Sequence, residues 1–203
     1  MKKCRMLAAF LSMLVLLLTG CGTHAGPDII VETAIVVDKN GTVTYHLVED
    51  FDKEYYDIAE LSSMAAEEAA EYNGTKASGE QAVTVERVER LPENESKVTI
   101  RYQFDGTDSF SGFTDTVLYY GTVAGAIGGD ISFRSNVKNV KDGTVLTPAE
   151  LVQDGEKKVI ITDARAVIYC PAKVSCLSDG STLREDGSVD TTESEGTVYI
   201  ILK

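Results

Sequence analysis

The chain has 203 residues, of which 32 are acidic and 19 are basic, and its formal net charge is −13 at pH 7. Binding of DNA or RNA relies on clustered Lys and Arg side chains that neutralise phosphates. A charge of this sign therefore argues against a nucleic-acid partner. The length is sufficient for one domain with a substantial hydrophobic core.

The N-terminus has the pattern of an export signal. Lys2, Lys3 and Arg5 provide positive charge, and residues 6–18 are almost entirely apolar. This apolar run is shorter than the ~20 residues that a transmembrane helix requires. A basic start, a short apolar run and small residues together are typical of a secretory signal peptide.

The stretch Leu18-Thr19-Gly20-Cys21 resembles the lipobox of bacterial lipoproteins. In that family, diacylglycerol is attached to the cysteine thiol and a peptidase cleaves the chain before this cysteine. The resemblance implies a lipidated Cys21 that anchors the protein at the extracytoplasmic face of the cell membrane, since two or more acyl chains anchor stably. A plain secretory signal and an uncleaved N-terminal anchor are the alternatives.

The lipobox also sets the predicted domain organisation. Removal of the signal peptide, residues 1–20, lowers the net charge from −13 to −16, because three basic side chains are lost. Residues 21–28 then form the lipidated cysteine and a short tether. Residues 29–203 form one extracytoplasmic domain with a possible sub-boundary near residue 129, and this part of the chain resembles no characterised family.

Cys170 and Cys176 are the cysteines left for the folded domain. Disulfides persist outside the cytoplasm, and the five intervening residues suit a bridge across the mouth of a short hairpin. Two unpaired, partly buried side chains in the same hairpin are the alternative, and the sequence leaves both open. The CxxC spacing of redox enzymes and paired zinc ligands is absent.

The predicted elements begin with a hairpin. Residues 29–37 and 42–48 are rich in β-branched side chains, and Asn40-Gly41 between them favours a tight turn. Asp52 is then predicted to cap a helix that ends at Asn73-Gly74, with an apolar stripe at three- and four-residue spacing.

The same order of elements then recurs. Residues 82–91 and 98–104 alternate as two strands, and apolar side chains from Thr107 to Tyr120 follow helical spacing. The order ββα followed by ββα, over residues 29–74 and 82–128, is therefore a possible repeat.

The C-terminal third is predicted to be rich in β-structure. Thr147, Pro148 and Glu150 have the pattern of a capping box at the start of a short helix. Four strands follow, at residues 158–162, 166–169, 173–177 and 197–202. Asp-Gly turns between successive strands favour antiparallel pairing, so the predicted class is α+β, an antiparallel sheet with one or two helices covering one face.

Two histidines limit the available chemistry, because His24 lies in the tether and His46 is predicted to face outward from a strand. No histidine pair for zinc and no Gly-x-Ser-x-Gly elbow occurs. The acidic run before the last strand suggests either a calcium site or a solvated loop. Its members are Asp186, Asp190, Glu193 and Glu195.

Two aromatic and glycine-rich patterns are interpreted as structural. Residues 120–128 resemble a nucleotide-binding glycine loop, but the glycine spacing differs and the preceding residues have helical periodicity rather than that of a strand. The glycines are therefore expected to allow close packing against the sheet. The tyrosine pairs Tyr55-Tyr56 and Tyr119-Tyr120 are expected to anchor helices to that sheet.

These observations predict a lipid-anchored protein of the cell envelope that is not an enzyme and has no cofactor or metal. Its role would be non-catalytic binding of a protein or small-molecule ligand, or an accessory role. Two alternatives are an envelope hydrolase that uses Asp and Glu carboxylates and a small solute-binding lipoprotein.

Overall fold

The computed structural model describes residues 30–76 and 81–203. The predicted signal peptide, Cys21 and the rest of the tether lie outside these residues. Within the described ranges, no helix is both long and apolar enough to span a membrane.

Thirteen strands and four helices make up the described ranges. The strands are β1 (Ala34–Val37), β2 (Val43–Asp50), β3 (Val83–Leu91), β4 (Asn94–Phe104), β5 (Leu118–Thr122), β6 (Val137–Asn139), β7 (Val145–Leu146), β8 (Lys158–Thr162), β9 (Val167–Tyr169), β10 (Val174–Ser178), β11 (Thr182–Leu183), β12 (Val189–Asp190) and β13 (Val198–Leu202). The helices are α1 (Ile58–Gly74), α2 (Thr107–Thr114), α3 (Val123–Gly128) and α4 (Pro148–Gln153).

The strands form two sheets. The seven-stranded sheet has the order β11-β12-β9-β1-β2-β4-β3, and the six-stranded sheet has the order β5-β8-β13-β10-β6-β7. Neighbouring strands are antiparallel except for β1 and β9, which run parallel. The chain changes sheet five times, and one of these crossings lies between β9 and β10.

A central core lies between the two sheets. Ile35 and Phe104 of the seven-stranded sheet belong to the same buried cluster as Ile160 and Ile200 of the six-stranded sheet. All four side chains are fully inaccessible to solvent. Removal of this apolar surface from water is the main stabilising contribution to such a layered fold.

The helices cover two different faces. Ala65 and Ala69 of α1 and Phe110 of α2 belong to the central core. Val123 of α3 and Leu151 of α4 belong to a second core on the opposite face of the six-stranded sheet. The six-stranded sheet is therefore buried on both faces, which explains why several of its strands are continuous runs of β-branched residues.

The predicted α+β class with mainly antiparallel strands is confirmed. The prediction of a single sheet covered on one face by one or two helices is wrong, because the strands form two sheets and four helices cover two faces. The ββα repeat is not confirmed. Both of its hairpins join one sheet, and α1 has 17 residues whereas α2 has eight.

The start of the first helix differs from the prediction. Asp57, not Asp52, is the N-cap of α1, and its Oδ1 accepts hydrogen bonds from the N–H groups of Ala59 at 2.6 Å and Glu60 at 3.0 Å. An acceptor at this position satisfies N–H groups that have no partner within the helix. The residues before it are therefore a loop.

The end of the second helix also differs. Helix α2 ends at Thr114, and Asp115 follows with a φ of 53°. Residues 118–122 then form β5, which pairs with β8. Helical spacing of apolar residues was misleading here, because pairing with a distant strand decided the conformation.

The predictions for the first hairpin turn and for the capping box of α4 are confirmed. Val37 pairs with Val43 across the first hairpin, and Gly41 in its turn has a φ of 90°. Thr147 and Glu150 form the reciprocal capping box at the start of α4. The sub-boundary near residue 129 stays a prediction, although β5 precedes this position and β6 follows it in the same sheet.

Candidate functional site

The loop between β2 and α1 presents two tyrosines to solvent. Tyr55 is 77% exposed and Tyr56 is 39% exposed. The prediction that these tyrosines anchor a helix to the sheet is wrong for Tyr55, because α1 begins only at Ile58. The sequence displays two adjacent aromatic residues in an acidic stretch, but the position at which α1 begins decides their exposure.

Three aromatic rings follow one another from the core to the surface. The ring centroids of Phe51 and Tyr56 are 4.9 Å apart, with an interplanar angle of 31°. The centroids of Tyr56 and Tyr55 are also 4.9 Å apart, but their planes are inclined by 75°. Phe51 is only 7% exposed, so the outer rings rest on a buried one.

Backbone hydrogen bonds hold this loop against the β3–β4 hairpin. The N–H of Phe51 donates to the carbonyl of Ser96 at 2.6 Å. Arg90 Nη1 donates to the carbonyl of Phe51 at 3.1 Å and also to the carbonyl of Glu95. The loop is thus tied at one end to the hairpin and at the other end, through Asp57, to α1.

A cation already lies on one of the three rings. The guanidinium carbon of Arg90 is 4.8 Å from the ring centroid of Phe51, which is within the range of a cation–π interaction. Phe51, Tyr55, Tyr56 and Arg90 are called the tyrosine surface below.

Carboxylates surround the tyrosine surface. Residues 49–60 and 90–97 contain eight Asp and Glu but three Lys and Arg. Asp50 is paired with Lys97 at 2.7 Å, and Asp52 with Lys53 at 3.0 Å. The hydrogen bond and charge of that lysine lower the pKa of Asp52 below its ordinary value.

His46 is isolated from other groups with metal-binding chemistry. It lies on β2 opposite Arg101 of β4, and Arg101 Nε lies 2.8 Å from Glu86 Oε2. Burial, and then the positive charge of Arg101, lower the pKa of His46 to about 4. The residues that the structure describes contain no group of three His, Cys, Asp or Glu able to hold a metal ion.

The acidic run before the last strand serves the local structure. Asp190 is paired with Arg184, which also contacts Glu32. Asp186 Oδ1 accepts hydrogen bonds from the N–H and the hydroxyl of Ser188 at 2.9 and 2.6 Å. The two aspartates therefore have separate partners and are not directed at one shared ion.

The glycine-rich stretch provides space for a tyrosine. A Cβ atom on Gly121 would overlap the Tyr119 hydroxyl, and one on Gly125 would approach it to 2.6 Å. The Tyr119 hydroxyl donates to the carbonyl of Thr122 at 3.0 Å. The predicted packing role is supported, although the helical periodicity inferred before Gly121 is wrong because these residues form β5.

Cys170 and Cys176 are free thiols in the structure. They do not flank a hairpin, because β9 and β10 belong to different sheets. Cys170 packs against the central core, whereas Cys176 belongs to the second core on the other face of the six-stranded sheet. Burial raises the pKa of Cys170 to about 12. The disulfide alternative would require both side chains to turn to one face.

Comparison of the chain with protein-family models, with curated proteins and with solved structures found no match.

Proposed function

We propose that this protein is a lipid-anchored protein of the bacterial cell envelope that binds a partner through the tyrosine surface without catalysing a reaction. The exposure of Tyr55 and Tyr56 on a firmly held loop carries the binding role. The lipobox-like residues Leu18 to Cys21 support the anchor and its extracytoplasmic location.

The composition of this surface suits protein recognition. Tyrosine and arginine are enriched among the residues that contribute most to binding energy at interfaces. A loop that is already ordered loses little conformational entropy when a partner binds. Tyr56 rests on Phe51, and Phe51 is bonded through its backbone to Ser96, so the recognition rings have a fixed base.

The anchor is tested by replacing the proposed lipid attachment site. We expect the native protein to incorporate labelled palmitate and to remain with the membrane fraction. Cys21→Ala should lose the label, because the thiol that forms the thioether is absent. An unlabelled native protein would contradict the anchor but would leave the binding surface to be tested separately.

Binding is tested with a photoreactive benzoylphenylalanine placed at residue 55 in living cells. We expect one discrete crosslinked species that disappears when Tyr56→Ala is added, because the neighbouring ring is part of the contact. Val145 on β7 is 48% exposed, and the same probe at this position is the matched control. Equal crosslinking at both positions, or no effect of Tyr56→Ala, would contradict the proposed surface.

A further inference from the structure

We propose that the tyrosine surface receives a cationic side chain, an arginine or lysine of a basic protein partner, against the ring of Tyr55. This inference rests on the binding role proposed above and defines the chemistry of the contact.

The surface already contains one such contact. The guanidinium of Arg90 lies 4.8 Å from the ring centroid of Phe51, the innermost ring. Among the described residues, no lysine or arginine of the chain lies over the rings of Tyr55 or Tyr56. Lys53 is the nearest cation in sequence, and it is paired with Asp52 at 3.0 Å. The outer rings are thus available to a cation from another molecule.

The two outer rings do not form one flat platform. The planes of Tyr55 and Tyr56 are inclined by 75°, so they form a corner, and a broad planar group could stack on one ring but not on both. Aromatic faces carry negative potential. A positive group in the corner can approach one face while it remains close to neighbouring carboxylates.

The negative charge around Tyr55 and Tyr56 also favours a basic partner. Residues 49–60 and 90–97 have a net charge of −5, and the mature chain predicted from the lipobox has a net charge of −16. A field of this sign attracts basic surfaces and repels acidic ones. Within the described residues, Glu54 and Glu93 have no cation at ion-pair distance, so their charge is available to a partner.

The test uses the full mature lipoprotein in non-ionic detergent. The probe is a short fluorescein-labelled peptide of alternating glycine and arginine, and binding is followed by fluorescence anisotropy. A second peptide carries citrulline at every arginine position, which keeps the length and planar end of the side chain but removes the charge and replaces one donor group by a carbonyl oxygen. We expect measurable binding of the arginine peptide that weakens with added salt, and weaker binding of the citrulline peptide.

Variants of Tyr55 separate ring chemistry from simple attraction between opposite charges. We expect Tyr55→Leu and Tyr55→Ala to lower the affinity for the arginine peptide by about two- to fivefold, the range of an exposed cation–π contact. Tyr55→Phe keeps an aromatic face and should bind nearly as well as the native protein. Val145→Ala is the control for an exposed apolar residue on the other sheet and should have no effect.

Three results would overturn this inference. Equal binding of the citrulline peptide would show that charge is not recognised, while crosslinking from residue 55 would still uphold the binding role. Unchanged affinity in Tyr55→Ala would show that only general electrostatic attraction operates. Tyr55-dependent binding of a fluorescent phosphocholine probe without Tyr55-dependent peptide binding would identify a lipid headgroup as the cation and exclude a protein partner.

Discussion

At the scale of single residues, the behaviour of His46 depends on its neighbour across the strand pair. It is half-buried on β2 and lies opposite Arg101. Both burial and the positive charge disfavour the imidazolium form, which places the pKa at about 4 instead of 6.5. His46 is therefore neutral at physiological pH.

We predict that His46 titrates near pH 4 in the folded protein. Its folded pKa is below its unfolded pKa, so the unfolded state takes up the proton first and stability falls as the pH drops from 6.5 towards 4. The loss should be about 1–2 kcal/mol, because solvent screens a side chain that is partly exposed. The imidazole C–H signals in NMR spectra give the midpoint directly.

His46→Gln is the control for this pH dependence. Its stability should vary less than that of the native protein over the same interval, because the titrating group is removed. A midpoint close to 6.5 in the native protein would contradict the effect assigned to burial and Arg101.

The need for glycine at position 125 also depends on one neighbour. A Cβ atom there would approach the Tyr119 hydroxyl to 2.6 Å. We predict that Gly125→Ala destabilises the protein by about 1–3 kcal/mol, the usual cost of overpacking. The same substitution in a Tyr119→Phe background should cost less, since the contact at 2.6 Å is removed and the contacts that remain are with Thr122 Oγ1 at 3.1 Å and with a ring carbon at 3.9 Å. Urea unfolding of the four proteins of this cycle provides the measurement.

Gly121→Ala is the contrasting variant. Its Cβ would lie 2.6 Å from a ring carbon of Tyr119 even without the hydroxyl. Tyr119→Phe should therefore fail to rescue it. Equal rescue at both glycines would show that the hydroxyl contact is not what makes glycine necessary at position 125.

At the scale of elements, Arg184 connects one edge of the seven-stranded sheet to the segment that enters β1. Its Nη1 lies 2.5 Å from Glu32 Oε1, and its Nη2 lies 2.5 Å from Asp190 Oδ2 on β12. A guanidinium can hold two carboxylates because its donors point in fixed directions. Hydrogen bonds from Thr192 first, and then Arg184, lower the pKa of Asp190 to about 2.

We predict that Arg184→Met destabilises the protein by about 1 kcal/mol at pH 7, in line with a partly exposed ion-pair network. Asp190 has a lowered pKa, so its contribution is present above the ordinary value of 3.8 and is lost as the pH falls through about 2. The difference from the native protein should therefore shrink in this acidic range. Thermal unfolding at several pH values measures it.

Lys53→Met is the matched control, because Lys53 and Asp52 form a pair in which both side chains are 52% exposed. Its removal should change stability much less than removal of Arg184. Equal effects of the two variants would contradict a linking role for Arg184.

At the scale of the whole molecule, the two sheets separate residues that are close in sequence. Cys170 and Cys176 are six positions apart, yet they contribute to cores on opposite faces of the six-stranded sheet. The crossing of the chain from β9 to β10 causes this separation. A disulfide between them would require one of the two side chains to leave its core.

We predict two free thiols in the mature protein when it is unfolded without reductant, because Cys21 would be blocked by lipid. Both should react slowly with iodoacetamide in the folded protein, since Cys176 is buried and burial raises the pKa of Cys170. A thiol assay before and after reduction provides the count. No free thiol before reduction and two after it would establish the disulfide instead.

Sequence predictions were accurate where the interactions join residues close in sequence, and they failed where distant segments pair. The turn at Asn40-Gly41 and the capping box at Thr147 depend on atoms within a few residues, and both were predictable. β5 was mistaken for a helix because its pairing with β8 is not encoded locally. The two-residue strands β7, β11 and β12 and the three-residue strand β6 were missed for the same reason.

The candidate site was less predictable than the fold class. The sequence displays two tyrosines in an acidic stretch, but their exposure depends on where α1 begins and on the hairpin that holds Phe51. Asp52 and Asp57 are both acceptable caps by residue type. The hydrogen bond from the N–H of Phe51 to Ser96 keeps Phe51 on the β3–β4 hairpin, and α1 begins only after Asp57.

By itself, the sequence determined the acidic charge, the turn at Asn40-Gly41, the capping box at Thr147 and the likeness of Leu18 to Cys21 to a lipobox, because each is a property of composition or of a few adjacent residues. The tertiary structure alone decided the division into two sheets, the opposite faces of Cys170 and Cys176, the lowered pKa of His46 and the exposure of Tyr55. Each of these depends on groups brought together from distant parts of the chain, and their packing decides which surfaces are buried and which charges meet.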